Sequence, residues 1–279
     1  MPPEFMPTAF SLIAVACWGV SDFLGGLASR KSDAFLVTLT AHVSGFSLML
    51  GLTVLNHASI PTREEQLWAL AAGALGGSGL ALFYSALGSG RMGVAAPLAS
   101  ILGAGIPTLF GIAVQGFPGP VPVIGFVLAG FGIWLLSRPD ASAGHDGLLL
   151  AVVAGIGFAG FFICIDRTGN ASGLWSAVYS RFASIVMVGA IIVVRRRAAN
   201  LAWKSAAIGL FAGALDSTGT LLFIRADQTG RLDSAVMLTS LYPVVTVLLA
   251  RFVLKEHFTR WKAVGILTAL AAVPLIAKH

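Results

Sequence analysis

The sequence predicts an all-α integral membrane protein of ten transmembrane helices, arranged as two inverted five-helix repeats. Three observations predict it. Of the 279 residues only 11% are charged and 57% are hydrophobic, with a mean hydropathy of +0.88, against about 25% charged in an ordinary soluble domain. The charges cluster between long uncharged apolar runs, among them 66–90, 92–137 and 147–165. The chain also repeats itself: "FYSALGSGRMGVAAPLAS" at 83–100 returns in degraded form as "FIRADQTGRLDSAVMLTS" at 223–240.

The apolar runs are each as long as one or two bilayer-spanning helices of roughly 20 residues. They are continuous rather than alternating, which excludes the strands of an outer-membrane barrel and leaves helices to do the spanning. Charges and Gly/Pro clusters punctuate the chain into ten spans, roughly 8–28, 34–56, 67–88, 93–115, 120–137, 147–166, 172–194, 204–225, 233–254 and 260–277. "GFPGP" at 116–120 is the turn that divides the uncharged stretch 92–137 in two, since its prolines and glycines cannot continue a helix. The opening "MPPEFMPTAFSLIAVACWGV" lacks a positively charged start and a small-residue cleavage site, so it is read as the first span and not as a signal peptide.

Lys and Arg at the connections orient these spans. The links after spans 1, 3, 5, 7 and 9 carry twelve of them, from Arg30 and Lys31 to Arg260 and Lys262; the other side carries five, Arg63, Arg167, Arg225, Arg231 and Lys278. The positive-inside rule then puts the richer side in the cytoplasm and both termini on the outer side of the cell (inner) membrane. The net charge of +6 lies between spans and not along one soluble face, so no nucleic acid partner is expected.

Residues 70–100 aligned without a gap on 210–240 share 14 of 31 positions, including Gly73/Gly213, Phe83/Phe223, Arg91/Arg231 and Ser100/Ser240. An offset of 138 pairs Gly19 with Gly157 and Phe23 with Phe161. The two repeats are 1–140 and 141–279. Because five spans is an odd number, the second copy must enter the membrane from the opposite side. Inverted pairs of this kind are typical of secondary transporters, whose halves rock around a site near the midplane.

"LFYSALGSGRMGVAAPLAS" and "MLTSLYPVVTVLLARFVLKEHFTRWKAVGILTALAAVPLI" resemble the EamA family of the drug/metabolite transporter (DMT) superfamily, as do "CWGVSDFLGG" in span 1 and "YSRFAS" in span 7. The resemblance covers essentially the whole chain and implies a ten-helix metabolite transporter, often an exporter, with its cavity between the first four helices of each half. The glycine usual in that family before the Glu after span 9 is Lys255 here, and the matching place in the first half reads Gln115, Gly116.

"GIGFAG" at 155–160 matches a dinucleotide-binding pattern, but it lies inside an apolar span with no strand before it, so helix packing is the better reading and no cofactor is expected. Cys17 and Cys164 sit singly in spans, without metal or disulfide spacing. Ala69, Gly73, Gly77 and the partner series Gly209, Gly213, Ser217 present small faces, expected to pack on each other or on gating neighbours. Pro97 and Pro243 are read equally as gating bends and as static kinks.

Charges inside the spans carry the most information. Asp22, Arg181 and Asp216 each cost about 3 kcal/mol at the centre of a bilayer, so each must face protein or water. Their repeat partners are Gly160, Val43 and Gly76, so the fold does not need the charges twice. Asp22 and Asp216 are the candidates for proton coupling. Arg181 and Asp216, as a substrate site or an ion pair, join Trp18, Tyr84, Ser100, Tyr179, Ser240 and Tyr242 as candidate substrate-binding residues. His42 reads equally as a buried hydrogen-bonded residue and as a proton relay. No metal site and no catalytic residue are expected: "DDxxD", "GxSxG" and "HExxH" do not occur, which disfavours the alternative of a polytopic enzyme acting on lipid-linked substrates. The expected partners are a small-molecule substrate and the lipid bilayer, with the chain a monomer or weak homodimer.

Overall fold

The computed structural model describes residues 5–88, 92–136, 147–169, 172–195, 201–256 and 258–277, and no strand occurs among them. The helices are α1 (Met6–Ser29), α2 (Ala34–Leu55), α3 (Arg63–Gly88), α4 (Met92–Gln115), α5 (Pro120–Leu136), α6 (Leu148–Asp166), α7 (Gly173–Val194), α8 (Trp203–Thr229), α9 (Leu232–Thr239), α10 (Tyr242–Leu254) and α11 (Arg260–Ile276). Local chemistry sets their ends. Asp33 caps α2 by accepting from the amides of Phe35 and Leu36. Thr62 and Glu65 form a capping box, Glu65 Oε2 accepting from Thr62 N at 2.6 Å, and so start α3 four residues before the apolar run that betrayed it. In the turn between α4 and α5, Gly116 (φ 83°) and Gly119 (φ 102°) hold left-handed backbone, as "GFPGP" suggested.

Two features differ from the sequence expectation. The ninth span is two helices, broken at Ser240 and Leu241. Pro243 has no N–H to give a carbonyl one turn earlier, and Val244 N bonds Leu241 O at 3.0 Å in place of the carbonyl of Ser240. Second, among the described residues eight segments are long and apolar enough to cross a membrane, Leu232–Leu254 among them as one segment. α5 and α11 fall short of that measure with 17 residues each, about 25 Å of helix and the low end of what a bilayer requires.

Helices of one half pack mainly on helices of the other. α1 lies on α8 and α6 on α3; α2 lies on α8 and α7 on α3; α1 meets α9 and α10 while α6 meets α4; α2 meets α7, and α5 meets α11. The small-residue faces make this possible. A Cβ at Gly73 would collide with the backbone of Ser180 in α7, and one at Gly213 with the backbone of Ala41 in α2. The two small faces therefore pack on the second helix of the opposite half instead of on each other. "GIGFAG" is likewise a packing face: Cβ atoms at Gly155 and Gly157 would lie 2.7 Å from Ala99 O and 2.9 Å from Leu75 O.

Candidate functional site

Where α1, α3, α4, α6, α7, α8 and the α9–α10 break converge, they line one cavity. Seven of the nine residues singled out in the sequence line it: Trp18, Asp22, Ser100, Arg181, Asp216, Ser240 and Tyr242. The fold brings them together because the break in the ninth span and the middles of α1, α7 and α8 all face one point.

Asp216, near the midpoint of α8, is paired. Arg181 Nη1 lies 2.8 Å from Asp216 Oδ2, and both side chains are buried. Nη2 donates to Thr220 Oγ1 at 2.5 Å and Nη1 lies 3.2 Å from His42 Nδ1, while the buried Nε has no hydrogen-bond partner among the described residues. Since an arginine can only donate, His42 Nδ1 is the acceptor, and the imidazole carries its proton on Nε2. His42 is thus a buried hydrogen-bonded residue behind Arg181, outside the cavity lining. Trp18 is fixed from the same place, its Nε1 donating to the backbone carbonyl of Asp216 at 3.1 Å and its ring centroid 5.8 Å from that of Phe162 and 6.4 Å from that of Tyr242.

Asp22 is different. It is 5% exposed, it lines the cavity, and among the described residues it makes no hydrogen bond or ion pair. A carboxylate taken out of water without a partner is costly, so this one is open to whatever enters.

Tyr84 and Tyr179 stand outside the lining. Tyr84 is fully buried between α1 and α3, its hydroxyl 3.3 Å from Ser21 Oγ and its ring against Gly25. Tyr179 packs on Trp175, whose Nε1 donates to Ala58 O at 2.9 Å and so ties α7 to the α2–α3 loop. The lining also contains residues the sequence reading passed over: Phe158, Phe161 and Phe162 of α6, Ser180 and Ser184 beside Arg181, and Thr220. Helical spacing held the signal for two of them, since Ser184 lies three residues after Arg181 and Thr220 four after Asp216, and the repeat held it for Phe161, the partner of Phe23.

Of the repeated Gly-Arg pair, Arg231 is described and Arg91 lies outside the described residues. Arg231 bonds Asp233 at 2.7 Å and donates to Gly116 O at 2.6 Å, while Leu232 N donates to Gln115 Oε1 at 3.1 Å. These bonds fasten the start of α9 to the end of α4.

Comparison with known proteins bears on this arrangement. No curated protein matches the sequence. A solved crystal structure 16% identical to it superposes with a TM-score of 0.76 over 96% of this chain and 95% of that one, which shows a shared fold. Residues 145–278, the second half of the chain, match the model of the EamA-like transporter family, which belongs to the DMT superfamily.

Proposed function

We propose that the protein is a secondary transporter that moves a small organic metabolite or amphipathic compound, amino-acid-like, nucleoside-like or drug-like, across the cell membrane. The two halves, 1–140 and 141–279, work as an inverted pair and expose the central cavity alternately to either side. The packing supports this reading: with α1 to α5 exchanged for α6 to α11, each of the main interhelix contacts has its counterpart. Transport runs outward and is coupled to protons through Asp22, with Arg181 and Asp216 shaping the opposite wall.

One observation carries the proposal. A mostly apolar cavity lies among apolar helices where the two halves meet, and Asp22, Arg181 and Asp216 line it. The test is a thermal-shift screen of purified protein against a metabolite library, followed by counterflow in proteoliposomes. At least one stabilising compound is expected to exchange across the bilayer, faster than in protein-free vesicles. If every stabilising compound stays on its own side, the transporter reading fails.

A further inference from the structure

We infer that the cavity selects a monocationic amine with an aromatic or apolar body, its ammonium on the Asp22 carboxylate and its body against Trp18 and the phenylalanines of α6. The inference rests on reading the cavity as the transport site, and names what that site takes.

Charge decides the class. The cavity wall contains three ionisable groups, two acids and one base. Asp216 and Arg181 neutralise each other at 2.8 Å, and the guanidinium's other bonds go to Thr220 and His42. That leaves Asp22, buried and without a partner among the described residues. With Asp22 ionised, the wall therefore carries one uncompensated negative charge. A ligand anion would meet that charge and, as its one cation, a guanidinium already paired with Asp216. A zwitterion would gain at Asp22 but would have to seat its carboxylate beside the occupied Arg181–Asp216 pair. A cation without a carboxylate is the one charge type whose gain at Asp22 is not offset elsewhere.

The walls fit the rest of such a molecule. Trp18 lies one turn before Asp22 on the same face of α1, and its ring is held by its bond to Asp216 O and by Phe162 and Tyr242. Indole and phenol faces attract cations as well as apolar groups. The hydroxyls of the lining do not oppose this, since Ser100 and Ser184 already donate to backbone carbonyls, at 2.7 and 2.8 Å.

Binding separates this inference from the transport reading. Purified protein is titrated with 2-phenylethylamine, phenylalanine and 3-phenylpropionate, which differ in charge around one ring. The amine is expected to bind tightest and the acid weakest. Asp22→Asn should weaken the amine by about tenfold to a hundredfold, the worth of a charge-assisted hydrogen bond, while Asp22→Glu recovers part of the loss. Melting curves of both variants show whether each is folded, and the Glu variant keeps the test open if the Asn variant is not. Equal or tighter binding of phenylalanine or phenylpropionate overturns the assignment. So does failure of the amine to bind the wild type, or an unchanged affinity in folded Asp22→Asn. If the amine binds as expected but shows no counterflow, the amine site stands and the transporter reading falls.

Discussion

Ser100 and Ser240, the same position of the two sequence repeats, touch: the hydroxyl of Ser100 donates to the carbonyl of Ser240 at 2.7 Å. The carbonyl is available because the chain breaks there and Val244 turns its amide to Leu241. Both residues are buried and both line the cavity. A side chain of the first half thus completes the backbone of the second at the place where the ninth span is interrupted. Ser100→Ala leaves a buried carbonyl unsatisfied and should cost about 1–3 kcal/mol, while Ser100→Thr keeps the donor. Melting of the purified variants decides it, and an alanine variant as stable as the wild type would show that the break supports itself.

The Arg181–Asp216 pair makes a second, sharper stability prediction. Removing one member of a buried pair strands the other charge and costs about 3–5 kcal/mol, whereas replacing both with apolar groups is much milder. Arg181→Met and Asp216→Leu should each lower the melting temperature strongly. The double variant is expected to melt above either single one. Additive losses would mean that the 2.8 Å contact does not couple the two side chains.

Lys255 ends α10 with φ 56°, in left-handed backbone that costs a residue with a side chain about 1–2 kcal/mol and a glycine almost nothing. The matching turn of the first half places Gly116 there at φ 83°. Lys255→Gly should therefore raise stability by about 1 kcal/mol, partly reduced by the freer unfolded chain. The Arg30–Glu256 ion pair at 2.7 Å lies next to this site, and its loss in the variant would be seen as a melting temperature that fails to rise.

The helices were legible in the sequence because lipid imposes long apolar runs, and the cavity residues because a charge in such a run needs a reason. Asp22, Arg181 and Asp216 stood out on that ground alone. The interrupted span was harder to read. Pro97 and Pro274 stay inside continuous helices while Pro243 sits at a break, where the carbonyl of Ser240 takes its hydrogen bond from Ser100 of another helix. Tyr84 misled because a hydroxyl in an apolar helix looks functional whether it faces a cavity or, as here, Ser21 and Gly25 of a neighbouring helix. The phenylalanines of α6 were hidden for the opposite reason: apolar residues in a membrane helix carry no mark of which side they face.

Orientation is predicted from twelve basic residues against five, with the α1–α2 link in the cytoplasm and the α2–α3 link outside. In a background with Cys17 and Cys164 replaced, Lys31→Cys should resist an impermeant thiol reagent in intact cells and Ser59→Cys should react. Both positions are exposed, so burial does not confound the result. The reverse pattern would invert the protein in the membrane.

The last prediction concerns coupling, and it turns on the contrast between the two acids of the cavity. Asp216 is paired with Arg181 at 2.8 Å and Trp18 binds its backbone, so its carboxylate is the less free of the two to exchange a proton during transport. Asp22 has no partner among the described residues, so its carboxylate is free to take a proton or a ligand cation. If it is the coupling residue, its protonation must differ between the two faces of the cycle. Asp22→Asn should then abolish concentrative flux driven by a pH gradient. Exchange between compartments of equal pH needs only the rocking of the halves, and should persist at a raised half-saturating substrate concentration. Asp216→Asn is expected to behave differently, lowering binding and thermal stability together because it leaves Arg181 without its counter-charge. Proteoliposomes containing each variant, assayed with and without a pH gradient, separate the two roles. Concentrative flux at the wild-type rate in Asp22→Asn would remove the proton role from this residue and require either another coupling group or facilitated diffusion.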